Sequence, residues 1–315
     1  MNKFTGMLQA EYDINPVQIQ SKQGGWASLA FKIKAEDAIY FLKVYEKSRA
    51  STPKLTALID QYVPIVEWIE RNSYLKGRIP VPMQTKEGNY KCDDEENIYL
   101  LYPFIDGQTI GEWDLTERQT EALAHIIAVL HSFGDEIPFP TKGLTEDFEV
   151  PFIRELEKVL NYKEEHVPEE LHLFLRENKE SINKWICNVE ELSEKLKSAS
   201  LSRVLCHTDL HHWNIIQAEN LVLIDWEGLK LAPAEADMIF LTGEPYFMKF
   251  MKVYRQYHKN YHINEDALTF YQLKRRLEDI WEFIEQLLYE ALDAQEKDEI
   301  IGYLTELTED KSNFL

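Results

Sequence analysis

Short apolar runs alternate with turn-forming residues over the first part of the chain. Runs at 17–20, 28–33 and 38–45 are separated by Gly24–Gly25 and by the acidic segment 35–37. Short apolar runs bounded by glycine or by acidic residues are typical of antiparallel strands joined by turns. The pattern therefore predicts an antiparallel sheet in the N-terminal part of the chain.

The periodicity changes from strand-like to helix-like after Pro53. Apolar residues at helical spacing predict one main helix there, interrupted or kinked at Pro64. Asn97–Tyr102 is a further predicted strand, and helical periodicity dominates from Thr116 onward. We therefore expect an α+β fold, in which a sheet with one main helix is followed by a larger, mostly helical part.

The composition is that of a folded protein. Of 315 residues, 44% are apolar and 12% are aromatic, which is enough for a sizeable core. Cys92, Cys187 and Cys206 are odd in number and far apart, which suits neither a disulfide framework nor a zinc site. Because the chain shows no signal-peptide pattern and no uncharged run of roughly 18 residues, we expect a soluble, cytoplasmic protein.

The chain is strongly acidic. Asp and Glu outnumber Lys and Arg by 55 to 34, which gives a formal net charge of -21. A surface of this sign repels nucleic acids and anionic lipids and attracts cations. We therefore expect neither a nucleic-acid nor a membrane partner. The expected partner is a small molecule, and the protein is expected to be a monomer or a homodimer.

One polar segment between apolar runs carries the strongest chemical signal. It contains His207, Asp209 and Asn214, and Asp225 ends the apolar hairpin that turns at 218–220. Phosphoryl transfer to a hydroxyl needs a carboxylate beside the attacking oxygen, and oxygen ligands that hold magnesium against the nucleotide phosphates. Asp209 fits the first role, and Asn214 and Asp225 fit the second. The segment therefore predicts the active centre of a kinase.

A lysine in a predicted strand supplies a second part of such a centre. Lys43 lies between Phe41 and Tyr45, on the same face of the strand. In kinases a strand lysine contacts the nucleotide phosphates and pairs with an acid of the following helix. We expect Lys43 to be that lysine. Its partner is predicted to be Glu67, with Asp60 as the alternative, and spacing does not decide between them.

These residues together resemble the aminoglycoside phosphotransferase and choline kinase superfamily, nearest to its spectinomycin-phosphotransferase-like branch. The resemblance rests on Lys43, on the loop 207–214, on Ile224-Asp225-Trp226-Glu227 and on the short path from there to Asp237. It implies a bilobal, protein-kinase-like fold with ATP or GTP and Mg²⁺ as cofactors. Asp237 follows only twelve positions after Asp225, which leaves no room for a peptide-binding segment, so the resemblance implies a small-molecule acceptor.

The resemblance also implies lobes and residue roles. An N-terminal nucleotide-binding lobe would span 1–103, and a C-terminal catalytic and acceptor-binding lobe would span 104–315. The catalytic residues would be Asp209 as base and His207 as a brace of the loop. The nucleotide would be contacted by Lys43, Glu67, Ser28, Tyr102, Phe104, Ile105 and Ile224, and the metal ion by Asn214 and Asp225. The glycine-rich nucleotide loop of protein kinases is absent, and Gly24–Gly25 and Ser28 stand where it would be.

The acceptor is expected to be a cationic hydroxyl compound such as an aminoglycoside or aminocyclitol antibiotic. Acids and aromatic residues share one stretch near the C-terminus, and carboxylates and aromatic faces both suit ammonium groups. Trp213, directly before Asn214, is expected to shape the acceptor site. The expected acceptor-binding residues are Trp213, Glu278, Asp279 and Glu282.

Two other functions stay open at this point. One is a metabolic kinase with choline, homoserine, methylthioribose or a fructosamine as acceptor. The other is a catalytically idle, kinase-like binding protein. The full set of Lys43, Asp209, Asn214 and Asp225 argues against the idle protein, because idle relatives typically lose one of these groups. The sequence therefore favours an enzyme, a phosphotransferase with an alcohol group as acceptor.

Overall fold

The computed structural model describes residues 3–22, 28–134, 137–162 and 167–309. The chain divides into two compact units. The first consists of Met1–Thr145, Val204–Leu231 and Glu244–Tyr261, and the second of Glu146–Arg203, Ala232–Gly243 and His262–Leu315. The predicted boundary after residue 103 falls inside the first unit, and the division into lobes at that point stays a prediction.

The first unit contains a five-stranded antiparallel sheet with strand order β1-β2-β3-β5-β4. Its strands are β1 (Gln18–Lys22), β2 (Leu29–Lys34), β3 (Ile39–Glu46), β4 (Cys92–Asp93) and β5 (Asn97–Pro103). β3 is central, and its register places Lys43 opposite Ala30 of β2 and opposite Leu100 of β5. The predicted N-terminal sheet is therefore present, and Lys43 lies in its middle strand.

A core of apolar side chains holds this sheet against helix α1 (Lys3–Tyr12). Phe4 and Leu8 of the helix pack with Ile33, Leu42 and Tyr99 of the sheet, and all five are buried. Alternate residues of a strand point to opposite faces, so one face of the sheet supplies the apolar side chains for this core. Burial of this face fixes the strand register.

Two helices follow β3. They are α2 (Thr52–Thr56) and α3 (Ile59–Asn72), and Pro64 lies inside α3. The predicted helix is therefore present, but its interruption lies at residues 57–58 and not at Pro64, which α3 contains without a break. Six residues of α3 are buried and form its inward face: Ile59, Tyr62, Val63, Ile65, Val66 and Ile69.

The remaining helices of the first unit are α4 (Glu117–Leu130) and α8 (Phe247–Tyr257), which pack against each other. α4 begins with a capping box, because the Thr116 hydroxyl accepts from the Gln119 amide N–H while the Gln119 side chain accepts from the Thr116 N–H. After the end of α8, His258 Nε2 donates to the carbonyl of Ala128 in α4 at 2.9 Å.

Short strands carry the predicted kinase segment. β6 (Gln108–Thr109), β8 (Ile215–Gln217) and β9 (Leu221–Leu223) form a three-stranded antiparallel sheet. β7 (Val204–Cys206) precedes the loop, and β10 (Lys230–Ala232) follows the hairpin. β8 and β9 are joined by the predicted turn at 218–220, where Ala218 N–H donates to the Asn220 carbonyl. The hairpin read from the sequence is therefore present to within a residue.

The second unit is helical. It contains α5 (Ile153–Leu160), α6 (Glu169–Lys197), α7 (Glu235–Met238), α9 (Glu265–Tyr289) and α10 (Ala294–Glu309). α6, α9 and α10 pack against one another, and α7 packs on α9. An antiparallel sheet followed by mostly helical structure confirms the α+β prediction. Among the residues that the structure describes, no helix has the length and apolar character needed to span a bilayer.

Candidate active site

The loop between β7 and β8 brings Asp209 and Asn214 together. The Asn214 side-chain NH₂ donates to Asp209 Oδ2 at 2.8 Å and to the Asp209 carbonyl at 2.9 Å. Asn214 is buried at the end of a single 3₁₀ turn, His212–Asn214. His211 Nε2 lies 3.3 Å from the same Asp209 oxygen. The carboxylate is thereby held by one oxygen in a fixed orientation.

His207 joins this loop to the end of the hairpin. Its Nδ1 accepts the backbone N–H of Asp209 at 3.3 Å, so Nε2 carries the proton and donates to the Ile224 carbonyl at 2.9 Å. The ring is fully buried and lies edge-on against Trp226, with ring centroids 4.5 Å apart. These contacts couple the positions of Asp209 and Asp225, and they fit the predicted bracing role.

Two residues of this region have positive backbone φ angles, Thr208 at 70° and Asp225 at 63°. Residues other than glycine rarely occupy this left-handed region, and a β-branched threonine there is an outlier. The Thr208 hydroxyl donates to the Gly228 carbonyl at 2.7 Å and so ties the loop to the segment after Asp225. Strained backbone of this kind clusters at functional sites.

Lys43 contacts two carboxylates from this same segment. Its Nζ lies 2.8 Å from Asp225 Oδ1 and 2.7 Å from Glu227 Oε1. The hydroxyl of Tyr45, two residues along β3, donates to the same oxygen of Glu227. One strand of the sheet and the end of the hairpin therefore meet through a buried cluster of charged and phenolic groups.

The charges within this cluster shift the pKa values of Lys43 and Glu227 in the directions that keep both groups ionised. Burial alone would lower the pKa of Lys43, but the carboxylates of Asp225 and Glu227 outweigh it and hold that pKa well above its ordinary value. Burial likewise would raise the pKa of Glu227, but the Lys43 charge and its hydrogen bonds keep that pKa below its ordinary value. Both groups are therefore charged at neutral pH. Burial, aided by Glu227, raises the pKa of Tyr45, so its phenol stays protonated and donates.

The acid predicted to pair with Lys43 is corrected by the structure. Glu67 contacts Arg71 Nη2 at 2.6 Å and accepts from the Tyr90 hydroxyl. The alternative, Asp60, contacts Lys91 at 2.8 Å. Both acids lie off the inward face of α3 because that face is occupied by apolar and aromatic side chains. Glu227 takes the place next to Lys43 that the sequence analysis gave to an acid of the helix.

Tyr62 is the α3 residue that faces the cluster. Burial raises the pKa of Tyr62 well above its ordinary value, and the charge of Glu227 adds to that effect. The Tyr62 side chain is buried, and its hydroxyl has no hydrogen-bond partner within the described part of the chain. The helix thus presents a phenol, not a carboxylate, to Lys43.

The donor set near Asp225 fits a magnesium ion. The side-chain hydrogen bonds of Asn214 described above all use its NH₂ group, which leaves the carbonyl oxygen Oδ1 as a ligand. The Asp225 side chain is 41% exposed, and only its Oδ1 is engaged by Lys43. Amide and carboxylate oxygens are the ligands that hard divalent cations prefer. Asn214 and Asp225 therefore suit the metal role predicted for them.

The structure places most of the remaining residues predicted to contact the nucleotide. Tyr102 lies in β5 near the Lys43–Glu227 cluster, and burial and then the charge of Glu227 raise its pKa. Phe104, half-buried, carries the Lys32 ammonium 4.0 Å from its ring centroid. Ser28 is buried just before β2. Gly24–Gly25 lie outside the described residues. Ile105 and Ile224 are half-buried, and all of these roles stay predictions.

Trp213 and the acidic stretch near the C-terminus fall in different units. The Trp213 side chain is 57% exposed and lies next to Gly111, whose lack of a Cβ atom leaves room for the indole. Glu278, Asp279 and Glu282 are half-buried on α9 in the second unit.

Part of the negative charge on α9 is balanced by cations of the same helix. Asp279 contacts Arg275 Nε at 2.8 Å. Burial alone would lower the pKa of Lys274, but the carboxylates of Glu278 and Glu146 outweigh it and raise that pKa. The Lys274 ammonium lies 3.5 Å from Glu146. The acidic stretch therefore offers less unbalanced charge than its sequence suggests.

Comparisons with known proteins identify the family. The family model described as "Phosphotransferase enzyme family" matches residues 19–271, which include Lys43 and the segment from His207 to Asp225. The protein StrN of Streptomyces griseus is 21% identical over 195 residues, a match that covers 56% of this chain and 61% of that protein. The chain thus matches less than two thirds of the length of this relative.

Solved structures share the fold. A spectinomycin phosphotransferase, APH(9)-Ia, determined with ADP and spectinomycin, superposes with a TM-score of 0.72 at 21% identity, covering 96% of this chain and 93% of that one. The choline kinase LicA from Streptococcus pneumoniae superposes with a TM-score of 0.61 at 14% identity, covering 97% of both chains. The predicted kinase-like fold and the resemblance to aminoglycoside phosphotransferases and choline kinases are confirmed. The chain belongs to the phosphotransferase enzyme family.

Proposed function

We propose that this protein is a magnesium-dependent kinase that transfers the γ-phosphate of ATP or GTP to a hydroxyl of a cationic small molecule. The observation that carries the proposal is the joint placement of Asp209, Asn214, Asp225 and Lys43 in one unit, with the contacts given above. A base, two oxygen ligands and a phosphate-binding cation are the parts that phosphoryl transfer requires.

Asp209 acts as the base in this proposal. The acceptor hydroxyl oxygen forms a bond to the γ-phosphorus while the bond from that phosphorus to the bridging oxygen breaks, and the bond electrons leave with the nucleoside diphosphate. The hydroxyl proton passes to the Asp209 carboxylate. The NH₂ of Asn214 fixes one carboxylate oxygen at 2.8 Å, and this contact orients the base toward its acceptor.

The charge of the transferred group is balanced by the metal ligands and by Lys43. A magnesium ion held by Asn214 and Asp225 would neutralise the nucleotide phosphates and stabilise charge on the leaving oxygen. Lys43 supplies a further positive charge from β3. His207 fixes the relative positions of Asp209 and Asp225 through the Asp209 N–H and the Ile224 carbonyl.

The acceptor class is proposed from charge and from aromatic exposure. The net charge of -21 favours a cation. Trp213, exposed and one residue before Asn214, offers an aromatic face next to the catalytic loop. These features support an aminoglycoside or aminocyclitol, and we propose that Trp213 contributes to its recognition. For the acids of the second unit, Glu278, Asp279 and Glu282, acceptor binding stays a separate prediction. A spectinomycin phosphotransferase among the similar structures supports the same class.

A screen of nucleoside diphosphate release tests the proposal. The purified chain is assayed with ATP or GTP and Mg²⁺ against spectinomycin, other aminoglycosides, choline, homoserine, methylthioribose and a fructosamine. Turnover of an aminocyclitol is the expected result. Strong turnover of choline or another metabolite, with none of any aminocyclitol, would replace the acceptor. No turnover of any hydroxyl compound, with nucleotide still bound, would favour the idle binding protein.

A pair of variants tests the role of the base. Asp209→Asn is expected to reduce kcat by at least about 100-fold, the contribution typical of a general base. Asp298→Asn makes the same chemical change on an exposed face of α10 and is expected to retain full activity. A loss of less than about tenfold in Asp209→Asn would contradict the assignment of the base.

A further inference from the structure

Lys43 is held by two carboxylates that differ sharply in their surroundings. The side chain of Glu227 is 9% exposed, while that of Asp225 is 41% exposed. Lys43 itself is 10% exposed. Water competes with the Asp225 contact and scarcely reaches the Glu227 contact, so the first contact exchanges more readily than the second.

The Asp225 carboxylate cannot bind Lys43 and a metal ion with equal strength at the same time. Its Oδ1 is taken by Lys43, and metal ligation through the same carboxylate brings a second positive charge to that group. Without another partner, a displaced Lys43 would be left as a buried, uncompensated charge. Glu227 is placed to prevent this, because its Oε1 already accepts from Lys43 at 2.7 Å.

Tyr45 strengthens the case for Glu227 as an anchor. The Tyr45 hydroxyl donates to the same Oε1, and Tyr45 and Lys43 lie two residues apart in β3, on one face of the strand. Two donors of β3, the Lys43 ammonium and the Tyr45 hydroxyl, thus bind the same carboxylate oxygen of Glu227. Neither Glu67 nor Asp60 of α3 takes part, since both have the other partners described above.

We propose that Glu227 is the residue that positions Lys43 for the nucleotide phosphates, and that the Lys43–Asp225 contact is exchanged for a phosphate contact when nucleotide binds. The inference rests on the proposed kinase function and deepens it. Lys43 keeps Glu227 throughout and turns from Asp225 to the phosphates, which leaves the Asp225 carboxylate to the metal ion. Glu227 is a positioning residue, since it acts through Lys43.

The test separates nucleotide binding from acceptor binding. Glu227→Gln keeps the shape of the side chain and removes its charge. The dissociation constant of a fluorescent ADP analogue, measured with Mg²⁺ and without acceptor, is expected to rise by about tenfold or more. The KM for ATP should rise in parallel, while the KM for the acceptor stays within about twofold. Glu227→Asp, which restores the charge on a shorter side chain, is expected to recover part of the affinity.

Two tyrosines supply a matched control. Tyr45→Phe removes a hydroxyl that donates to Glu227, and it is expected to weaken nucleotide binding by about threefold to tenfold. Tyr62→Phe removes a buried hydroxyl of the same neighbourhood that has no hydrogen-bond partner within the described part of the chain. It is expected to leave nucleotide affinity unchanged. If Glu227→Gln does not fold, the two tyrosine variants carry the test.

Three outcomes would overturn the inference. The first is a folded Glu227→Gln with the nucleotide affinity of the parent. The second is an equal loss of affinity for nucleotide and acceptor, which marks a merely structural role. The third is an equal response of the two tyrosine variants. Failure of the proposed function is distinguishable, because a parent protein that binds the ADP analogue and phosphorylates no acceptor removes the kinase activity and leaves the role of Glu227 measurable.

Discussion

Gly228 lies where any larger residue would collide with the loop that contains Asp209. A Cβ atom at this position would stand 2.3 Å from the Thr208 hydroxyl oxygen and 3.1 Å from the His207 carbonyl. The first distance is far inside van der Waals contact, so the Thr208 side chain must rotate away. The second involves backbone, which moves less easily. Gly228→Ala therefore perturbs the loop by a single methyl group.

The magnitude follows from the contacts that are lost. Rotation of Thr208 breaks its hydrogen bond to the Gly228 carbonyl, which contributes about 1 kcal/mol. Overpacking against the His207 backbone adds to this, and we expect a total loss of about 1–3 kcal/mol in the free energy of unfolding. Because Asp209 follows within two residues of His207, a shift of the loop is expected to lower kcat/KM by at least about tenfold.

Urea unfolding and steady-state kinetics measure the two effects. Gly302→Ala is the matched control, because a Cβ there meets nothing within 4 Å, and alanine in helix α10 is expected to stabilise by up to about 1 kcal/mol. In a Thr208→Ala background the hydroxyl is absent, so Gly228→Ala should lower the free energy of unfolding by less than half of its effect in the parent. Parent-like stability and kcat/KM in Gly228→Ala would refute the reasoning, and so would an undiminished cost in the double variant.

Three further predictions concern stability. Burial lowers the pKa of His258 despite the hydrogen bond to Ala128, so the neutral ring stabilises the fold fully above the unfolded pKa of about 6.5, and this contribution is lost as the pH falls below it. The melting temperature of His258→Gln should therefore fall less steeply than that of the parent between pH 7.5 and 5, and equal slopes would contradict this. Thr116→Ala removes the cap of α4 and should cost about 1 kcal/mol in urea unfolding, with no loss disproving the cap. Leu42 is fully buried in β3, and Leu42→Ala should lower the free energy of unfolding by about 2–5 kcal/mol. Leu173 is exposed, and Leu173→Ala should change that free energy by no more than about 0.5 kcal/mol. Similar losses in the two variants would contradict the assignment of Leu42 to the core.

The local patterns of the sequence predicted the N-terminal sheet and the β8–β9 hairpin well. The turn at 218–220 and the flanking apolar runs were recognisable because strand period and turn residues are properties of neighbouring positions. The loop that holds Asp209 and Asn214 was located for the same reason, and the catalytic roles of its residues stay predictions.

The partner of Lys43 could not be predicted in this way. Which face of α3 turns toward β3 depends on tertiary packing, and the buried face of this helix carries Tyr62 and not Glu67. A signal for the actual partner was present. Glu227 lies two residues after Asp225, so the sequence places a second carboxylate close to the predicted metal ligand.

The positive φ angles of Thr208 and Asp225 lower the stability of the folded state. Each such residue costs about 1–3 kcal/mol, and the rest of the fold offsets that cost. Substitutions that relieve the strain, such as glycine or asparagine at residue 208, would be favoured by selection for thermal tolerance alone. They would also remove the Thr208 hydroxyl, whose hydrogen bond to the Gly228 carbonyl ties the loop to the segment after Asp225. Residue 208 is thus a position where selection for thermal stability and selection for the proposed catalysis would favour different side chains.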